Sequence, residues 1–250
     1  MTHFPHSVKA VLFDWDNTLV DSWPVLYQAL RATYTVMGKT PLSMDQIRSK
    51  TAHSLRDRFP AVFGDQWKEA QTVFYQEYRK AKIHGIQALP YAEDLLVFLR
   101  RQGAYLAIVS NKLGEELRKE VDALGWSPYF KQIIGSGDCS QDKPSPVCVE
   151  AALSEEGSSY PRQAVWFVGD TQVDYECARN AGCFPVLVHP LEECNTAVTV
   201  AGCGELLAYT KKVYLEGFNS GESNERTSDS QRISSKESNF NINLKREKNE

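Results

Sequence analysis

Little in this sequence marks it for a membrane, an oxidising compartment or a nucleic acid. No apolar run approaches the roughly 18 residues that a membrane-spanning helix needs. The opening MTHFPHSVKA lacks both the apolar core of a signal peptide and the pattern of a transit peptide, so a soluble, cytoplasmic protein is expected. Six cysteines (Cys139, Cys148, Cys177, Cys183, Cys194, Cys203) form no CxxC pair and have no histidine at metal spacing. They read as thiols of a reducing compartment rather than as disulfides or zinc ligands. Lys and Arg total 28 against 32 Asp and Glu, a net charge of -4, and no basic excess points to nucleic acid. An anionic substrate is still compatible, because a metal and one or two lysines set the local field whatever the sign of the whole. At 250 residues and 42% hydrophobic content, the chain is long enough for one large domain or two small ones around a real core.

What is present centres on residues 11–22, VLFDWDNTLVDS. Val8 and Ala10 to Phe13 form a short apolar run of the kind expected of a strand buried on both faces. Asp14 and Asp16 follow, one residue apart, with Thr18 beyond them, where an open α/β sheet exposes its strand ends to ligands. Two acids so close raise one another's pKa unless something holds them. A divalent cation does so, and an oxygen-rich site suits Mg²⁺, which binds through one or two carboxylates together with water and substrate phosphate. A solvated turn is the other reading of Asp14 to Thr18, since Asp, Asn and Thr favour turns.

Three later stretches bear on that choice. A second core strand, Tyr105 to Val109, runs into Ser110-Asn111-Lys112; Lys143 stands in DKPSP; and a third apolar strand, Ala164 to Val168, runs into Gly169-Asp170-Thr171-Gln172-Val173-Asp174. Ser110 or Asn111 at a helix start fits an ordinary N-cap and an anion-facing hydroxyl equally well. The four-residue step from Asp170 to Asp174 places both carboxylates on one side of a helix start. This ordered set, over roughly residues 8 to 190, resembles the haloacid dehalogenase (HAD) superfamily, and within it the phosphoglycolate phosphatase group with its DxDxTLxDS opening.

The resemblance implies an α/β fold, a Rossmann-like parallel sheet core with an inserted all-α cap domain. It also implies a Mg²⁺-dependent phosphatase that hydrolyses a small phosphorylated metabolite through an aspartyl-phosphate. In that scheme Asp14 is the nucleophile and Asp16 the acid and base. Ser110 and Lys143 complete the catalytic set, Asn111 and Thr18 meet substrate, and the metal is held by Asp14, Asp16 (through its backbone carbonyl), Asp170 and, through water or by orienting Lys143, Asp174. An aspartate at Asp16 disfavours the dehalogenase and phosphonatase branches, and Asn17, where Gly is commoner, weakens the case for a sugar-phosphate mutase. A phosphomutase and a non-enzymatic phospholigand-binding protein on the same scaffold remain the alternatives. Oligomeric state is not legible.

The segment between the first motif and the second strand keeps helical periodicity for far longer than a crossover requires. Pro24 suits a first helical turn, with Leu26, Leu30, Thr33 and Met37 on one face. Ser43 and Gln46 form a capping box for a helix at Met44 to Lys50, and a longer helix spans Asp65 to Ile83. The basic stretch from Arg48 to Arg56 is the expected substrate-facing loop, or a solvated helix end. The expected domains are therefore 1–20 with 88–216 as core and 21–87 as cap. Pro185 to Val188 is expected to close the sheet. From Gly217 the chain turns to Ser, Asn, Glu, Lys and Arg, too polar to offset the cost of ordering, and reads as a disordered tail over 217–250.

Overall fold

The chain's apolar runs assemble into a six-stranded, wholly parallel sheet with β1 (Ala10–Phe13) near its middle. The computed structural model describes residues 8–50, 53–82, 85–189 and 198–219. In chain order the elements are β1, β2 (Val20–Asp21), α1 (Trp23–Val36), α2 (Met44–Lys50), α3 (Leu55–Phe63), α4 (Trp67–Ala81), β3 (Gln87–Ala88), α5 (Ala92–Arg101) and β4 (Tyr105–Leu113). There follow α6 (Gly114–Ala123), β5 (Gln132–Ser136), α7 (Val147–Ser158), β6 (Val165–Gly169), α8 (Gln172–Asn180), β7 (Phe184–Val188), β8 (Val198–Val200) and α9 (Cys203–Asn219).

Sheet order is β5-β4-β1-β6-β7-β8. Strands β4 and β6 flank β1, in registers that pair Phe13 with Ile108 and with Val168. Successive side chains of β1 enter two different cores: Val11 and Phe13 pack on one face, Ala10 and Leu12 on the other. Alternation of the same kind divides β6, with Trp166 and Val168 on the first face and Val165 and Phe167 on the second. Each strand must therefore be apolar at every position, which is why these runs are continuous rather than alternating. Chain order reverses direction at β1, and the crevice at such a switch point, beyond the carboxyl ends of the strands, is where this architecture binds ligands.

Helices α1 to α4 all lie between β2 and β3, and those two short strands pair antiparallel, Val20 with Ala88. The outgoing and returning chains are thus tied together at the base of the helical insertion. Helix α2 has the expected limits, and its box is reciprocal: Ser43 N donates to Gln46 Oε1 at 2.9 Å while Gln46 N donates to Ser43 Oγ at 3.3 Å. The long cap helix begins later than expected, at Trp67, after a 3₁₀ turn at Gly64–Gln66.

Several expectations need correction. Helix α3 occupies the end of the stretch read as a loop; Ser54 caps it by accepting from Asp57 N, and Pro60, which has no N–H for the helical ladder, lies inside it. Strand β7 does not close the sheet, because β8 pairs beyond it with Val186 opposite Val198. Helix α9, which begins directly after Gly202, runs to Asn219 and so takes in the first residues assigned to the tail. It buries Leu206, Leu207 and Val213, and Tyr214 packs edge-on against Phe98 of α5 at 5.9 Å. The remainder of the expected tail, from residue 220, and Cys194 lie outside the described residues. The other five cysteines are free thiols. No helix among the described residues is long and apolar enough to cross a membrane.

Leu12, fully buried between β4 and β6, should show how far stability rests on the central strand. Leu12→Ala is expected to cost about 2–5 kcal/mol in urea unfolding, as large-to-small changes in close-packed cores do.

Candidate active site

Three strand ends converge on one cavity beneath the helical insertion. Asp14 follows β1, Ser110 and Asn111 lie late in β4, and Asp170 follows β6. Strand β4 is longer than its apolar run suggests, but its pairing to β5 breaks register between Val109 and Leu113. That irregularity frees Ser110 to Lys112 from the regular ladder and aims them at the site. The cavity holds about 90 Å³. Asp14, Asp16, Ser110, Asn111, Lys143 and Asp170 line its floor, and Trp23, Leu26, Arg58, Phe74 and Tyr75 of the insertion are among the residues of its roof.

The two motif aspartates both reach this space, while Trp15 between them turns away and is fully buried in the core. A local turn sets that arrangement: Asn17 N donates to Val20 O at 2.7 Å and Asn17 adopts φ 61°. Few residues other than Gly and Asn take that left-handed conformation readily, which accounts for Asn where Gly is commoner.

Lys143 is the electrostatic hub of the floor. Its buried ammonium donates to Asp14 Oδ1 at 2.7 Å and to Asp174 Oδ1 at 2.6 Å. The Asn111 side chain holds the Lys143 backbone from both sides, accepting from its N–H at 2.9 Å and donating to its C=O at 3.1 Å. Asn111 therefore lines the cavity while its side-chain amide clamps the Lys143 backbone. Ser110 Oγ accepts from Lys112 N at 3.3 Å, which leaves the hydroxyl hydrogen free to donate.

Asp174 sits in the first turn of α8, as its spacing suggested, and both of its oxygens are engaged. Oδ2 accepts from Thr171 N (3.0 Å), Thr171 Oγ1 (2.6 Å) and Asp170 N (3.2 Å), and Oδ1 holds Lys143. Gly169 permits this folding-back, since a Cβ there would lie 2.3 Å from the Asp174 Cβ. Thr18, expected at the substrate, is instead buried away from the cavity and donates to Asp170 Oδ1 at 3.2 Å; its neighbour Asn17 lines the cavity in its place.

Asp14, Asp170 and Asp174 each offer a buried oxygen within 4.8 Å of the others. One lysine faces these three carboxylates. Burial, only partly relieved by Lys143, pushes the Asp14 carboxyl from 3.8 up to about 6, and burial together with the Asp174 and Asp14 charges holds Asp170 well above the ordinary range. A hard divalent cation fits this donor set, with Asp14 and Asp170 as the available carboxylates. Asp16 stands apart from the cluster. Its Oδ1 accepts from Ser22 Oγ and from Lys112 Nζ, at 2.6 Å for the lysine.

Of the basic stretch, Arg48 stacks over Trp23 at 5.4 Å and Arg56 pairs with Asp142 of the core at 2.9 Å. His53 lines the cavity, and so does Arg58, two residues past the stretch singled out from the sequence. Tyr78 reads from its helical spacing only as a packing residue, and Lys112 and Glu120 carry no expected role, although a lysine inside the second motif is a visible signal.

A doubly wound sheet with acids, a hydroxyl and a lysine gathered at its switch point is suited to phosphoryl transfer. The chain belongs to the haloacid dehalogenase-like hydrolase family, whose model matches residues 11–188. It is 32% identical over 176 residues to a phosphoglycolate phosphatase of Aquifex aeolicus, covering 70% of this chain and 82% of that protein. A HAD-superfamily hydrolase from Ehrlichia chaffeensis superposes with a TM-score of 0.58 at 28% identity, covering 83% of this chain and 98% of the other. A Thermotoga maritima protein provisionally described as a β-phosphoglucomutase shares the fold at 22% identity and a TM-score of 0.64, covering 82% of this chain and 100% of the other. Fold alone thus does not separate hydrolase from mutase.

Because the Asp14 carboxyl of the folded chain titrates near 6 rather than 3.8, ionising it works against folding. Its contribution to stability is fully present below about pH 4 and is lost as pH rises through about 6. In EDTA, Asp14→Asn should therefore be more stable than wild type at pH 7, and urea unfolding at pH 4 should show the difference shrinking.

Proposed function

We propose that this hydrolase is a Mg²⁺-dependent phosphatase that acts on a small phosphomonoester through an aspartyl-phosphate at Asp14. The observation that carries the reading is the Asp14 carboxylate, presented to the cavity and gripped by Lys143 at 2.7 Å beside a further pair of buried acids. Asp14 attacks phosphorus as the bond to the leaving oxygen breaks, and Asp16 gives that oxygen its proton. Water then attacks the acyl-phosphate while Asp16 takes a proton back, releasing phosphate and restoring Asp14. Lys143, the Ser110 hydroxyl and the backbone N–H at Asn111 hold the phosphate oxygens through both steps, and this positioning supplies most of the rate. Asp174 fixes the direction of Lys143. Asp14 and Asp170, with the Asp16 backbone carbonyl, would hold Mg²⁺, which supplies positive charge against the phosphate.

The helical insertion, residues 21–87, serves as a lid over this chemistry, excluding water that would weaken each contact. A cavity of about 90 Å³ lies below the range of sites for drug-sized ligands and suits a small ester. Arg58 in its roof is placed to meet a second acidic group, as a carboxylate would provide. With the Aquifex aeolicus relative named as a phosphoglycolate phosphatase, 2-phosphoglycolate is the first substrate to try.

Phosphate release from a panel of small phosphomonoesters tests the reading. Wild type with Mg²⁺ is expected to turn over at least one ester, EDTA to abolish the activity, and Asp14→Asn to lower it by about 10³-fold or more, as loss of a nucleophile does. Dependence on a bisphosphate activator with little free phosphate would instead favour the mutase.

A further inference from the structure

Behind Asp16 lies a second buried charge cluster that the mechanism above does not use. Lys112 Nζ donates to Asp16 Oδ1 at 2.6 Å, Tyr78 Oη at 2.7 Å and Glu120 Oε2 at 2.8 Å, so its three N–H groups each have a partner. Glu120 is itself fixed by Trp15 Nε1 at 2.9 Å, Tyr78 Oη at 2.8 Å and Lys82 Nζ at 2.9 Å. Farther out, Glu116 pairs with Lys82 at 3.2 Å and Arg79 at 2.8 Å. Three acids (Asp16, Glu116, Glu120) thus face Lys82, Lys112 and Arg79, while the exposed Lys119, 3.6 Å from Glu116, is balanced by Glu115. Its members come from the first motif, from β4 and α6 of the core and from α4 of the insertion.

We infer that Lys112 is a positioning residue for Asp16, and that Tyr78 extends this fixture into the helical insertion. The inference rests on the phosphatase reading and adds residues to its acid–base step. Lys112 and Ser22 both engage Oδ1, whereas Oδ2 takes no hydrogen bond from the described residues and Asp16 lines the cavity. One oxygen anchors the carboxyl and the other is left to exchange a proton with the reacting ester. Helix α4 cannot shift without moving Tyr78 off the ammonium that holds the catalytic acid. Stability alone does not require this arrangement, because an apolar cluster of like volume serves a core as well as a buried ion pair does.

Leaving-group dependence separates this role from a structural one. When the Asp14–phosphorus bond forms and the ester P–O bond breaks, an alkoxide needs the Asp16 proton to depart as alcohol, whereas p-nitrophenolate departs as the anion. Single-turnover rates with Mg²⁺ are to be compared for an alkyl phosphomonoester and p-nitrophenyl phosphate, in wild type, Asp16→Asn, Lys112→Met and Tyr78→Phe. Lys112→Met should slow the alkyl ester by about 10²-fold, within the usual contribution of a general acid, and the aryl ester by less than about threefold. Tyr78→Phe, which keeps the ring and the packing, should slow the alkyl ester by about tenfold with the same selectivity, and it decides the matter if Lys112→Met does not fold. Equal slowing of both esters in folded variants, or no slowing of either, overturns the inference. Unselective slowing in Asp16→Asn would remove the acid on which it depends. Failure of wild type to cleave either ester would instead sink the phosphatase reading itself, and the inference with it.

Discussion

Three buried carboxylates, Asp14, Asp170 and Asp174, meet a single ammonium, Lys143, where β1 and β6 end, and the rest of the site answers that imbalance. Like charges at this separation, taken out of water, oppose their own ionisation, which is what the raised Asp14 and Asp170 carboxyls express. The protein relieves one acid internally: Asp174 receives the capping hydrogen bonds of α8 as well as the lysine. The other two are relieved only in part, Asp14 by Lys143 and Asp170 by the Thr18 hydroxyl, and a divalent ion would meet the remaining demand for positive charge.

The second cluster is solved differently. Around Lys112 the charges balance among themselves, each acid against a base, and the network is closed by hydrogen bonds from Trp15 and Tyr78. Asp16 belongs to this balanced set and Asp14 to the deficient one, although one residue separates them. In the proposed mechanism, environment, rather than residue type, divides nucleophile from acid: one carboxyl is held by Lys143, the other by Lys112, whose ammonium is buried against Tyr78 and Glu120. Trp15, turned into the core between the two aspartates in sequence, joins the balanced set through its indole N–H to Glu120.

Much of this was legible because the central strands are buried on both faces. A run that must be apolar at every position is visible in a sequence without any alignment, and Asp14, Ser110 and Asp170 stand at or beside the ends of such runs. Asp174 was legible from helical spacing, and α2 from its capping box. What escaped has equally physical reasons. Helix α3 contains Pro60, which argues locally against a helix; β8 has only three residues; and α9 opens beside Gly202 and Gly204, which argue locally for a turn. Asn17 rather than the expected Thr18 lines the cavity, because a left-handed turn, not the order of residues, decides which of them faces it. Tyr78 reads as a packing residue and Lys112 only as part of the second motif until the insertion folds back, bringing together groups from α4, α6 and β4 that no local pattern connects.

The central claim is that phosphate passes through covalent attachment to Asp14. Its most direct test is to mix Asp16→Asn, in which hydrolysis of the intermediate should stall, with Mg²⁺ and p-nitrophenyl phosphate, whose leaving group needs no proton from Asp16, quench in acid, and map the peptides by mass spectrometry. The account predicts one added phosphoryl group on the peptide carrying Asp14, lost on hydroxylamine treatment and absent from Asp14→Asn. A phosphoryl group on any other residue, or release of the alcohol with no adduct at all, would contradict it.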